Sequence, residues 1–144
     1  MTTPALGVDV GTVRVGLAGS DETGTLATPL RTVPRRPVAR LWRELKEVVD
    51  ERLPECIVVG LPRRLDGSEG DSAADARLVA DQLHARTGLP VEMWDERFTT
   101  AAAERSLIAA GRRRAQRRQS VDAVAASLLL QSWLDSRAHP STSR

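Results

Sequence analysis

ALGVDVGTVRVGLAGSD, residues 5–21, decides how the rest of the chain is read. It opens as a buried strand at Ala5-Leu6-Gly7-Val8 and reaches Asp9 just before Val10 and Gly11-Thr12. A second apolar run, Val15-Gly16-Leu17-Ala18, follows at once. Two apolar runs split by a short glycine-containing turn predict a β-hairpin. A carboxylate on a core-facing strand position needs compensation, because an unpaired buried charge is strongly unfavourable. Asp9 therefore faces either water or a cation.

Reading outward from the hairpin gives the order of elements. Strands are predicted over about 5–10 and 15–20, and TLATPLRTVP (25–34) reads as a third strand in which Pro29 argues for an edge or a bulge. VARLWRELKEVVDER (38–52) spaces Leu41, Trp42, Leu45, Val48 and Val49 as one helical face, started by Pro37. CIVVGLP (56–62) is a continuous apolar run, the pattern of a central strand covered on both faces. A glycine-containing loop at 63–70 leads to a helix over 72–87 that stops at Gly88, and PVEMWDE (90–96) is a fifth strand. Thr99 or Thr100 is placed to cap a third helix running to Gly111, and Ser120 to cap a last helix over 121–138. The final HPSTSR, 139–144, is expected to be a disordered tail. The expectation is one domain, residues 1–138, with an α/β fold. Its five-stranded mixed sheet has strands 1–3 antiparallel and strands 4–5 parallel, flanked by helices.

Composition narrows the function classes. At 144 residues the chain suits a single core. No charged-then-apolar leader is expected at its start. The longest apolar stretch, Ala123 to Leu130, is interrupted by Ser127 and is too short to span a membrane. The single cysteine, Cys56, excludes an intramolecular disulfide and a Cys-based zinc site, so a cytoplasmic location is expected and Cys56 is assigned to core packing. His84 and His139 lie far apart and are read as surface residues, so any metal would take oxygen ligands. Net charge is only +2, yet the basic residues are all arginine except Lys46. A GC-rich genome explains that bias but not the clustering of GRRRAQRRQ (111–119), with Arg112, Arg113, Arg114, Arg117 and Arg118 in seven positions. Such a block is ordinarily a solvated segment; beside a catalytic site it is a phosphate-binding patch.

Carboxylates fall at element ends. Asp9 ends strand 1, Asp95-Glu96 end strand 5, and Asp122 starts the last helix. Sites in open α/β sheets form outside the carboxyl ends of the strands. Each residue also has an ordinary role. Asp122 suits a helix N-terminus, Glu96 beside Arg97 suits an exposed pair, and Asp9 suits bonds to the Gly11-Thr12 turn. Taken singly, those roles are favoured. The coincidence of all three with a phosphate-friendly turn and an arginine block shifts the balance towards a site.

GVDVGTVRVGLA, VVGLPRRLDGSEG, DERFTT and SVDAVAASLLLQSWL resemble, in order and spacing, the four blocks of the YqgF/RuvX family of bacterial Holliday-junction-resolvase-like proteins. The resemblance covers roughly residues 5–135. It implies a ribonuclease-H-like fold, a role in maturing the 5′ end of pre-16S ribosomal RNA, and acidic site residues at Asp9, Glu96 and Asp122. Arg63-Arg64-Leu65 stands where the family has a Leu-Asn-Met-like run, and Phe98-Thr99 where Leu-Ser is commoner. Arginines precede Asp122 where lysines are usual, so the departures touch substrate contacts rather than metal ligands.

The implied chemistry is phosphodiester hydrolysis by two Mg²⁺ or Mn²⁺ ions about 4 Å apart, clamped by a few carboxylates. On this reading Asp9 bridges the metals, Glu96 holds one and Asp122 completes the other. Thr12, Arg14, Arg63, Arg64, Gly67 and Arg97 join the arginine block as substrate-binding candidates, with residues 61–70 as a loop over the substrate. No Ser-His or Cys-His pairing suggests a covalent nucleophile. The expected partners are structured RNA, branched DNA as the alternative substrate, and pre-ribosomal particles, with no membrane and a monomer or homodimer. A non-catalytic RNA-binding assembly factor stays open. An actin-like phosphotransferase shares the D-x-G-T turn but needs a second lobe that this length does not allow.

Overall fold

The structure, a computed structural model, describes residues 4–99 and 114–138. Three strands come first: β1 (Ala5–Val10), β2 (Arg14–Ser20) and β3 (Ala27–Pro34). Helix α1 (Val38–Arg52), strand β4 (Cys56–Leu61), helix α2 (Asp71–Thr87) and strand β5 (Val91–Asp95) follow. A 3₁₀ turn, Glu96–Thr99, leaves β5, and a long helix α3 (Arg114–Ala138) ends the described chain. The sheet order is β3-β2-β1-β4-β5. The pairs β1/β2 and β2/β3 are antiparallel, whereas β1/β4 and β4/β5 are parallel, as the hairpin start and the β-α-β continuation predict. The expected third helix, from Thr99 or Thr100 to Gly111, and the tail 139–144 lie outside the described residues.

Period-two alternation sends the strand residues to two different cores. Leu6 and Val8 of β1, Val15 and Leu17 of β2, and Ile57 and Val59 of β4 are fully buried against Leu41, Leu45 and Val48 of α1 and Val79 and Leu83 of α2. The opposite face carries Ala5, Ala18 and Val58 under Ala126, Leu130 and Trp133 of α3. The first face is built from large aliphatic side chains. The second is built from small ones, so α3 sits close to the strands. Cys56 joins this second core from its edge, and burial pushes its thiol up, which suits packing rather than reactivity.

Pro29 meets both expectations made for it. β3 is an edge strand, and its register against β2 shifts where Leu17 pairs Arg31 but Ala18 pairs Pro29, leaving Leu30 as the extra residue of a bulge. Gly88 closes α2 in the left-handed region at φ 73°, its N–H donating to the His84 carbonyl at 2.8 Å. His84 is exposed, as its sequence position implies. The last helix needs a correction. It begins at Arg114, so Ser120 lies inside it rather than at its N-cap position.

An ion pair ties the hairpin turn to α2. Arg35, just past β3, forks onto Asp75 of α2 at 2.6 and 3.0 Å and donates to the Gly11 carbonyl at 3.1 Å. Its removal leaves a half-buried carboxylate and a turn carbonyl unsatisfied. Arg35→Met is expected to lower stability by about 1–3 kcal/mol in a urea titration. Arg35→Lys should recover little of that stability, because an ammonium cannot reproduce the two-pronged geometry.

Candidate active site

The three sequence-predicted carboxylates come from three separate elements. Asp9 lies on β1 directly opposite Gly16 of β2, on the sheet face that α3 covers. Glu96 is the first residue after β5, in the 3₁₀ turn rather than the strand. Asp122 lies eight residues beyond the start of α3. That last position removes the ordinary role assigned to Asp122, since a helix dipole acts only within the first turn.

Two glycines set the approach distances. A methyl on Gly16 would overlap the backbone carbonyl oxygen of Asp122, so only glycine lets α3 bring Asp122 down beside Asp9. A methyl on Gly60 of β4 would stand 2.5 Å from Oε2 of Glu96, so that glycine opens the space the Glu96 side chain fills. Gly7, one pleat along β1, does the same for Leu130 at 2.9 Å. Isolated glycines inside strands signal close backbone approach. Gly16 and Gly60 carry that signal in the sequence, although neither stands among the predicted site residues.

Electrostatics show the carboxylates feeling one another. Burial pushes the Asp9 carboxyl up, a hydrogen bond from Glu96 pulls it down, and the charge of Asp122 pushes it up again. Burial, the charge of Asp9, the hydrogen bond to Asp9 and the charge of Asp95 together push Glu96 up to about 7. Asp9 and Glu96 thus form one hydrogen-bonded pair of carboxyls, both with raised proton affinity. Asp9 makes this bond instead of one to the turn, whose Gly11 N–H donates to the Arg14 carbonyl at 2.9 Å. Asp122 is held differently. Its Oδ2 accepts from Arg14 Nε at 2.8 Å, in a pair that is largely solvent-exposed on the arginine side. With Asp122 turned to Arg14, no three such side chains among the described residues are gathered tightly enough to hold a metal as they lie. The donor chemistry nevertheless fits a hard divalent cation: the oxygens are all carboxylate, and two of the three groups carry raised proton affinity that a cation would relieve.

The expected substrate-binding residues divide. Thr12 and Arg14 flank the β1–β2 turn and are exposed. Arg97 does not pair with Glu96. It closes on Asp95 through bonds of 2.7 to 3.1 Å, which hold the Asp95 carboxyl below the usual range. Arg63 approaches the same carboxylate and Glu69 at 3.7 Å each. Arg64 ties the 63–70 loop internally, to Ser68 Oγ at 3.1 Å and the Glu69 carbonyl at 3.3 Å. Gly67 turns that loop at φ 90°, with Arg97 packed beside it. These guanidiniums therefore brace the loop and the residue next to Glu96. Asp95, absent from the predicted site, is where Arg97 and Arg63 converge. Arg112 and Arg113 lie outside the described residues, whereas Arg114, Arg117 and Arg118 fall in the first turns of α3, on the same helix as Asp122.

Comparison with known proteins identifies the family and the fold. The family model described as RuvX, Holliday junction resolvase, matches residues 3–136. The "Putative pre-16S rRNA nuclease" of Mycobacterium ulcerans is 49% identical over 133 residues, spanning 92% of this chain and 78% of that protein. Its namesake in Moorella thermoacetica is 47% identical over 130 residues, 90% of this chain and 93% of its own. That of Myxococcus xanthus is 42% identical over 137 residues, 95% and 91%. Among solved structures, T. thermophilus RuvC in complex with a Holliday junction substrate superposes with a TM-score of 0.60, covering 95% of this chain and 96% of that one at 17% identity. The fowlpox virus Holliday junction resolvase does so with a TM-score of 0.55, covering 93% and 99% at 13% identity. At such identities the likeness is one of fold, the ribonuclease-H-like fold of RuvC-type resolvases. The family match over nearly the whole chain goes further: this chain belongs to the RuvX family.

Proposed function

We propose that this chain is a divalent-metal-dependent nuclease acting on the 5′ end of pre-16S ribosomal RNA, with Asp9, Glu96 and Asp122 as the metal-binding carboxylates. The observation that carries the proposal is the close approach of three carboxyls from three elements, Glu96 hydrogen-bonded to Asp9 and Asp122 near enough for its charge to act on Asp9, on strands and a helix that glycines bring together. Mg²⁺ or Mn²⁺ bound there would supply an activated water and stabilise the leaving oxygen of a phosphodiester. Asp9 and Glu96, whose proton affinity is raised, must both be ionised to act as ligands. Asp122 must exchange its bond to Arg14 for a cation, and the freed guanidinium then stands at the site's edge as a phosphate contact. Arg97 and Arg63 keep Asp95 in place and so orient the turn that carries Glu96. The names of the relatives favour ribosomal RNA as substrate, and the RuvC-like fold keeps branched DNA as the second reading.

Purified protein with Mg²⁺ or Mn²⁺ should cut a pre-16S 5′ leader, and a four-way DNA junction assayed beside it should be cut more slowly or not at all. The reverse preference would transfer the proposal to branched DNA. No cleavage of either under any divalent ion would favour the RNA-binding assembly factor. The arginine block supplies a separate check. Neutralising Arg112, Arg113, Arg114, Arg117 and Arg118 should weaken RNA binding and flatten its salt dependence, by about 0.7–0.9 in log–log slope for each phosphate released. An unchanged slope would make the block plain solvated surface.

A further inference from the structure

A groove of about 410 Å³ opens on the far side of the β1–β2 turn from Asp9, between the start of α1 and the face of α2. Thr12, Arg36, Val38, Trp42, Leu78 and Gln82 line it, and the Arg35–Asp75 pair lies in its wall. Its volume falls within the usual range for small-ligand sites, about 300–1,000 Å³.

Three features of this groove need an occupant. Val38 and Leu78 are 58% and 56% exposed, and Val13, next to Thr12 on the turn, is 64% exposed. Clustered exposed aliphatics mark a contact surface, whereas scattered ones do not. Trp42 also lines a neighbouring groove, from whose side the Arg86 guanidinium covers its ring at 4.3 Å. The indole is thereby fixed in orientation with part of its surface turned to the first groove. Arg36 is exposed and takes part in no hydrogen bond or ion pair among the described residues, while the charge of Asp75 is neutralised by Arg35. The rim is therefore positive, and the lining combines Trp42 and the exposed aliphatics with Thr12, Gln82 and the Arg35–Asp75 pair.

Position selects the occupant. Thr12 is three residues from Asp9, so the groove mouth and Asp9 lie within about 11 Å of chain, on opposite faces at one end of the sheet. A nucleic-acid strand with a phosphate at Asp9 that crosses the turn reaches the groove within one or two nucleotides. We propose that the groove receives an unpaired base of the substrate strand adjacent to the cleaved phosphate, stacked against Trp42 and the aliphatic wall with its phosphate on Arg36. This rests on the nuclease reading of the Asp9 site and deepens it, since it makes a single-stranded nucleotide beside the scissile bond part of what the protein selects. A base stacked on Trp42, polar groups along the wall and a basic rim match the chemistry of single-strand binding. A paired base cannot enter.

The test uses the full chain in EDTA, so that binding is read without cleavage. A ten-nucleotide single-stranded RNA and its duplex are titrated by fluorescence anisotropy against the parent, a Val38→Asn/Leu78→Asn double variant, and Trp42→Leu. Both substituted aliphatics are exposed, and melting curves verify the fold. The variants should bind the single strand about 5- to 100-fold more weakly and bind the duplex as the parent does, with the salt slope unchanged, because every arginine that meets a phosphate is kept. A single strand carrying 4-thiouridine should cross-link to α1 or α2 residues of the groove. Unchanged single-strand affinity, equal weakening for both RNAs, or cross-links confined elsewhere would overturn the proposal. So would a parent self-association that the double variant abolishes, which would assign the groove to a second copy of the chain. Cleavage of the leader by the parent with Mn²⁺ separates the two readings. If the parent cleaves while the variants bind normally, the groove assignment falls and the nuclease stands; if the parent neither binds nor cleaves, both fall.

Discussion

Asp9→Asn, Glu96→Gln and Asp122→Asn are each expected to lower cleavage by at least about 100-fold, because removing groups that merely orient metal ligands already costs 10- to 100-fold. Binding of RNA should survive, since the arginines and the groove are untouched. Stability separates a ligand set from three ordinary carboxylates. Asp9 is partly buried beside two other acids, so Asp9→Asn should leave the metal-free melting temperature unchanged or raise it. Asp122→Asn removes only a largely exposed pair with Arg14, worth less than about 1 kcal/mol. Both should blunt the stabilisation that Mn²⁺ adds to the parent by mass action. Variants that melt lower without metal and still gain the full metal shift would refute the site.

The same pair gives the pH dependence its sign. Glu96 is raised from 4.5 to about 7 in the folded protein, so between those values the folded state holds more protons than the unfolded one. Stability then falls as pH rises through that window. Discounted for partial exposure, the effect is about 1–2 kcal/mol. Asp9, also raised, adds in the same direction. Glu96→Gln still donates to Asp9 at every pH and should flatten the profile. Mn²⁺ affinity should run the other way, weakening as pH falls below about 7 because the cation must displace the proton on Glu96. Calorimetric titration at several pH values, with the proton release it reports, checks both statements.

Gly16→Ala and Gly60→Ala should fail for different reasons. At Gly16 the added methyl meets the backbone of α3 at Asp122, and a backbone cannot swing aside as a side chain can. The helix must lift, with a cost of about 2–3 kcal/mol and a melting temperature lower by roughly 10 °C. At Gly60 the methyl meets the end of the Glu96 side chain, which can rotate away. Stability should change by less than about 1 kcal/mol, while Mn²⁺ affinity and cleavage fall about 10- to 100-fold because Glu96 no longer reaches Asp9. Equal melting losses in the two variants would mean that the Glu96 side chain is as tightly confined as the helix.

The order of elements, the hairpin and the parallel continuation are all legible in the amino-acid sequence alone. These rest on local signals: alternation in strands, a 3.6-residue period in helices, and glycine or proline at the turns. Everything that depends on which elements meet came from the assembled fold. It placed Asp122 inside a helix that starts at Arg114, a start that an arginine-rich, weakly apolar stretch does not announce. It assigned Arg14 to Asp122, Arg97 to Asp95 and Arg64 to its own loop, because a guanidinium takes the nearest carboxylate or carbonyl in space, and nearness across a hundred residues is not written in any local period. It also made Gly16 and Gly60 part of the site. A missing side chain has meaning only against the atom that occupies its space, and that atom belongs to another element of the fold.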